Sequence, residues 1–307
     1  MLKSVPISIL LCLTFFPAPG KAQIRLSWKF KEGEKFYVER VDTVKLSADS
    51  IGKPVTQEFE ATTVLGFDVV KVESDKITLG LRFEGARFKG EVAGGDAVTK
   101  LMDRLKGVSF TITMDTRGKV TSIKGFDEAL KKLGEDKAKA DSMGSVFNQD
   151  TIMISLKEIF GFLPDNPAKS GDKWSHFTRM PLGPYGFLQG DYQFVFKGVD
   201  QKTKDRSLQG QEIEINGKLS FDFPKDGVVA PGIKVAQAEF KSPNADQPNS
   251  VKGVYWFSAE AGRLIRSEVN IDIRGSLGLQ KEDTRLTVNL EMKSASKTRL
   301  LDTNPLE

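Results

Sequence analysis

Apolar and polar residues alternate with a period of two over much of the chain. Ile77, Leu79, Leu81 and Phe83 alternate with Thr78, Gly80 and Arg82. Val108, Phe110, Ile112 and Met114 alternate with Ser109, Thr111 and Thr113. The series recurs at Ile213, Ile215, Gly217, Leu219, Phe221 and Phe223, at Val269, Ile271 and Ile273, and at Leu286, Val288, Leu290 and Met292. Weaker versions run over residues 24–30, 36–46, 55–72, 192–199 and 251–257. Successive side chains of a strand point to opposite faces, so these stretches predict strands with one buried and one wet face. That habit belongs to antiparallel sheets; parallel sheets read as continuous apolar runs separated by helices. Glycine-bearing turns agree: 31–34, 115–118 and 259–262 each hold the glycine that supplies positive φ in many turns.

Helical periodicity is confined to the middle of the chain. Asp96 is placed to N-cap a short helix with Val98, Leu101, Met102 and Leu105 on one face. Phe126, Ala129, Leu130 and Leu133 make a second stripe. Ile152, Leu156, Ile159 and Phe160 make a third, with Asp150 placed as N-cap and Pro164 stopping the run. Residues 135–148 are more polar and hold Gly144. The predicted fold is therefore α+β and mainly β: a large curved antiparallel sheet, half-barrel-like, with a central helical segment packed on its apolar face. Residues 23–307 read as a single domain, with 164–172 as the best sub-boundary, and 180–190, 224–232 and 242–249 read as loops. Residues 114–120 and 257–264 share a strand, an acidic turn, a glycine, a base and an aliphatic residue, a pattern that many hairpins also show.

The first residues break the alternation. Lys3 precedes an apolar run from Ile7 to Phe16, then Pro17-Ala18-Pro19-Gly20, with small residues Gly20 and Ala22 flanking Lys21. This is the pattern of a secretory signal peptide over residues 1–22, cleaved after Ala22. The run is too short for a spanning helix, which needs about 20 apolar residues. An N-terminal anchor or a buried helix is the competing reading. Cys12 follows Leu11 rather than a small residue, so it reads as part of the apolar run and not as a lipidation site. Export would leave residues 23–307 with no cysteine, no disulfide and no transmembrane anchor, so stability would have to come from the core.

Composition chiefly excludes. Forty-five Lys and Arg stand against 41 Asp and Glu, which removes the electrostatic case for nucleic-acid binding. One His and one Cys cannot supply a His/Cys zinc site. His176 is the only imidazole a serine could use, and it reads as a surface or edge residue near the start of a strand. No nucleophile elbow, P-loop, dinucleotide fingerprint or EF-hand loop is present, and no cofactor is expected. Aromatics on the stretch broken by Pro181, Gly183, Pro184 and Gly186, namely Trp174, Phe177, Tyr185 and Phe187, are the ligand-facing candidates, since they could line the mouth of a cavity. The plainer reading is a loop pinned to the core by its rings.

Three stretches carry a family resemblance: residues 26–36, residues 114–130, and Leu163-Pro164 with Gly171-Asp172-Lys173-Trp174 and the later Ala261-Gly262-Arg263-Leu264. Together they resemble an uncharacterised family of exported bacterial proteins common in planctomycetes. The shared motifs are turns, so the resemblance implies no catalytic residues. The layout is also similar to that of periplasmic lipoprotein carriers, in which a half-barrel covered by helices holds an acyl chain. The expectation is an exported, noncatalytic envelope protein, in periplasm or medium, binding a lipid or other apolar small molecule between sheet and helices. A structural or protein-interaction module of the envelope is the alternative, and an exported carboxylate-dependent hydrolase is a third reading.

Overall fold

The computed structural model describes residues 23–50, 53–90, 95–133, 149–181, 187–200, 203, 209–222, 228–230, 233–239 and 249–307. The expected signal segment, the polar stretch 135–148 and Tyr185 lie outside the described residues. Five strands come first, with a helix between the third and fourth: β1 Lys35–Ser50, β2 Lys53–Val72, β3 Ile77–Gly90, α1 Gly95–Leu105, β4 Ser109–Met114 and β5 Val120–Lys124. Two more helices follow, α2 Phe126–Leu133 and α3 Gln149–Phe160. The second run of strands is β6 Lys173–Pro181, β7 Phe187–Val199, β8 Gln211–Asp222, β9 Val228–Ala230, β10 Ile233–Glu239, β11 Ser250–Ser258, β12 Arg263–Lys281 and β13 Thr284–Leu301.

All thirteen belong to one antiparallel sheet, ordered β5-β4-β3-β2-β1-β13-β12-β11-β8-β7-β6, with the β9–β10 hairpin attached to β12. The sheet has two wings that meet where β1 pairs with β13. The N-terminal wing, β1 to β5, is a simple meander. The sheet is not closed: its two edges are β5 and β6, and α3 packs against both. The mainly-β α+β architecture expected from the alternation is the one present.

Three local readings need correction. Residues 24–30 do not form a ladder strand; Ile24 makes one isolated bridge to Ala168. Their alternation is nonetheless real, because Leu26, Trp28 and Phe30 are buried in the core. The extended segment satisfies its amides on turns instead: Trp28 N–H donates to the Thr116 carbonyl and Lys29 N–H to that of Gly262. Second, Val228–Ala230 forms the short strand β9 inside the expected loop 224–232. Third, Trp174, Phe177 and Phe187 lie on β6 and β7, so strand covers all of the expected 180–190 loop except 182–186, which lies outside the described residues.

The N-terminal wing is filled on the face that carries the helices. Rings of Phe36 and Phe67 stack at 4.9 Å, and Phe30 stacks on Phe36 at the same spacing. Trp28 meets Phe160, Phe162 and Phe257 edge-on at 5.1, 6.0 and 5.3 Å. Its indole N–H donates to the Phe160 carbonyl at 2.9 Å, capping one of the last carbonyls of α3 that no helical amide can reach. Leu105 of α1 and Phe126 and Ala129 of α2 complete this core.

Candidate ligand cavity

Among the described residues, the C-terminal wing leaves a hollow on the same face. Between its strands, the end of α3 and the β4–β5 turn lies a cavity of about 400 Å³. Cross-strand register builds it in rungs. In the lowest rung Arg40 on β1 faces Thr298 on β13, Thr298 faces Ser267 on β12, and Ser267 faces Tyr255 on β11. The next rung runs Asp42, Ser296, Val269, Gly253, Ile215, Phe194 and Trp174. Above it come Val44, Ser294, Ile271, Val251, Gly217, Tyr192 and His176. Val251, Val269, Ile271, Ile215, Phe194 and Phe162 supply the apolar lining. Beyond the cavity the same sheet face continues as buried Ile273 and half-buried Leu46, Met292, Leu290, Val288 and Leu277.

Arg40 is the charged centre of the wall. Its Nε donates to both Asp42 carboxylate oxygens at 2.9 and 3.0 Å, Nη1 donates to Glu158 on α3 at 3.0 Å, and Nη2 donates to Ser296 Oγ at 3.2 Å. The Ser296 hydroxyl in turn donates to Asp42. Burial opposes the charge on Arg40, but Glu158 and Asp42 outweigh it and raise the guanidinium pKa above its ordinary value. Asp165, the other carboxylate on the wall, accepts from Arg117 at 2.7 Å. Both wall carboxylates are thus committed to arginines, an arrangement for holding charge in place. Among the described residues no three metal-ligating side chains come together.

The aromatic candidates separate. Trp174 stacks on Phe194 at 5.7 Å and donates its indole N–H to the Phe162 carbonyl at 3.1 Å, so it props the wall from behind. Phe177 is 60% exposed and reaches only the cavity rim. Phe187 lies under the Arg179 guanidinium at 3.7 Å, away from the cavity lining. His176 sits on the edge strand, as expected, yet it lines the cavity and meets the Phe194 ring at 5.2 Å. Burial pushes its pKa below the ordinary value while the charge of Asp165 pulls the other way, so the imidazole is held neutral near pH 7.

Tyr192 and Tyr255 also line the cavity; nothing in the sequence singles out Tyr255, but a signal marks Tyr192. Gly190 and Gly217 interrupt otherwise bulky strand faces, and a Cβ at either would run into the Tyr192 ring. Glycine inside a strand marks such a close approach. Burial raises the phenol pKa of both tyrosines, and the negative charge of Glu158 adds to the shift.

A model of a family of unknown function (DUF6263) matches residues 85–232, from within β3 to just past β9. No curated protein matches the chain. Among solved structures, one of lipovitellin, described by its lipid–protein interactions, is similar at 12% identity and a TM-score of 0.44. That likeness covers 89% of this chain, which spans only 25% of the lipovitellin chain. DynF from the dynemicin biosynthesis pathway of Micromonospora chersina is similar at 9% identity and a TM-score of 0.22, over 90% of this chain and 85% of its own. A DUF1329 family protein from Desulfovibrio piger is similar at 7% identity and a TM-score of 0.13, over 83% of both chains.

Proposed function

We propose that this chain is a noncatalytic binding protein that holds one apolar small molecule, of lipid type, in the hollow of its C-terminal wing. The observation that carries the reading is the contrast between the wings. On the face that carries the helices, α1 and α2 fill one, while the other leaves about 400 Å³ walled by Val, Ile, Phe and Tyr side chains; a hollow of similar size on the opposite face of β2 to β5 is lined largely by polar and charged residues such as Asp68, Arg82, Ser109 and Lys124. Ligand sites are concave and mostly apolar, with few polar groups that fix orientation, and about 300–1,000 Å³ is their usual size. The commitment of Glu158 and Asp165 to arginines favours binding over carboxylate catalysis. No described helix is long and apolar enough to cross a membrane. The reading includes export by the N-terminal segment, which would put the site in the cell envelope or the medium.

The test is a titration with N-phenyl-1-naphthylamine, a neutral apolar fluorophore. Saturable binding of one probe per chain is expected. Val269→Trp, which places an indole in the cavity, should weaken it by about tenfold or more. Absence of saturable binding, or equal binding by the variant, would overturn the proposal.

A further inference from the structure

The lowest rung of the cavity is polar across four adjacent strands, whereas the rungs above it keep Asp42 on β1 and Ser296 and Ser294 on β13 but turn apolar on β12, at Val269 and Ile271. Strands lie about 4.8 Å apart, so Arg40, Thr298, Ser267 and Tyr255 form a row about 14 Å long. Thr298, Ser267 and Tyr255 are only 9%, 4% and 6% exposed, and all three line the cavity. Among the described residues none hydrogen-bonds to these three hydroxyls. Tyr255 instead stacks its ring on Phe162 at 4.4 Å. Their oxygens are not shut inside the protein but open onto the cavity, so their hydrogen-bond partners have to come from whatever fills it. Three in a row on a cavity wall mark where a ligand supplies them.

The charge around the row says which kind of group fits. Arg40 already faces two carboxylates, Asp42 and Glu158, with its Nε, Nη1 and Nη2 all engaged. A third anion would crowd one guanidinium with three negative charges, and a cation would meet the guanidinium itself. Lys119, Lys157 and Arg117 also line the cavity, but Arg117 is bound to Asp115 and Asp165, and Lys119 and Lys157 lie exposed toward solvent. We infer that the ligand enters polar end first and that this end is neutral and rich in hydroxyl or ester oxygens, as in an acylglycerol, while its hydrocarbon chain runs outward over Val269 and Ile271 toward Leu46 and Met292. This rests on the binding function proposed above.

Calorimetric titration of the full chain with monododecanoylglycerol, dodecanoate and dodecylamine tests it, all three sharing one hydrocarbon chain. The neutral lipid should bind about tenfold more tightly than either charged one. Tyr255→Phe, which keeps the ring stack, and the pair Ser267→Ala with Thr298→Val should each weaken monododecanoylglycerol binding several-fold and leave dodecanoate unchanged. Dodecanoate or dodecylamine binding as tightly as the glyceride, or variants with undiminished glyceride binding, would overturn the inference while leaving the binding function standing. Failure of all three lipids to bind would overturn both.

Discussion

His176 shows how one side chain reports on the cavity. It is the chain's single histidine, so its ring-proton resonances read its titration without ambiguity. Burial among Phe194 and Tyr192 removes water from the imidazolium, and Asp165 offsets that only in part. The folded pKa therefore lies below the unfolded value of about 6.5. The sign follows directly: the unfolded chain binds this proton more readily, so His176 costs the fold nothing above pH 6.5 and destabilises it as pH falls below that value. A native-state NMR titration should give a midpoint below 6.5, and His176→Gln should lessen the loss of unfolding free energy on moving from about pH 7 to pH 5. A midpoint at or above 6.5 would contradict the buried placement.

At the scale of elements, two turns hold the N-terminal segment. The β4–β5 turn takes the Trp28 amide on Thr116, and the β11–β12 turn takes the Lys29 amide on Gly262. These are the stretches 114–120 and 257–264 whose likeness the sequence displays, and their shared glycines both have positive φ, +85° at Gly118 and +64° at Gly262. A Cβ at Gly118 would overlap the Phe160 carbonyl and the Trp28 indole nitrogen, and one at Gly262 would overlap Lys29. Gly118→Ala should therefore destabilise the protein by about 2–4 kcal/mol in chemical denaturation, well beyond the effect of an ordinary surface alanine. A change within about 0.5 kcal/mol would show that the turn relaxes freely.

Strand alternation is legible because it is local: it locates β4, β8 and the start of β3 closely, but marks only Val269–Ile273 of β12 and Leu286–Met292 of β13, whose remaining residues alternate less cleanly. The extended segment 24–30 alternates for a different reason: its buried face packs on rings and its amides go to turns, which no local pattern separates from a ladder. The cavity was half legible. Arg40 and Asp42 interrupt the apolar series Phe36, Val38, Val44 and Leu46, and Ser294, Ser296 and Thr298 interrupt the face of β13. Each interruption is visible in the chain, but only the register of β1 with β13 and of β12 with β11 brings them side by side. Trp174 and Phe187 are aromatics near a Pro/Gly stretch, yet neither lines the cavity: Phe187 is on the opposite face of β7 from Tyr192 and Phe194, and Trp174, though on the hollow face, stacks on Phe194, which takes the lining position.

For the whole molecule, the asymmetry of the two wings is the consequential feature. One continuous sheet supplies both, but among the described residues only the N-terminal wing receives α1 and α2, while the Trp28 segment lies across the two, held by the β4–β5 and β11–β12 turns. Arg40 at the junction faces α3 across the hollow through Glu158, so the polar row sits where the filled and empty halves meet. Above it the long strands β1, β2, β12 and β13 carry the apolar face outward. The most direct measurement is photolabelling with an acylglycerol that bears a diazirine in its acyl chain, followed by peptide mapping. Labels are predicted on Val251, Val269, Ile271 and neighbouring cavity residues. Labels on the exposed Val70 and Val199, with the cavity residues unmarked, would contradict the account.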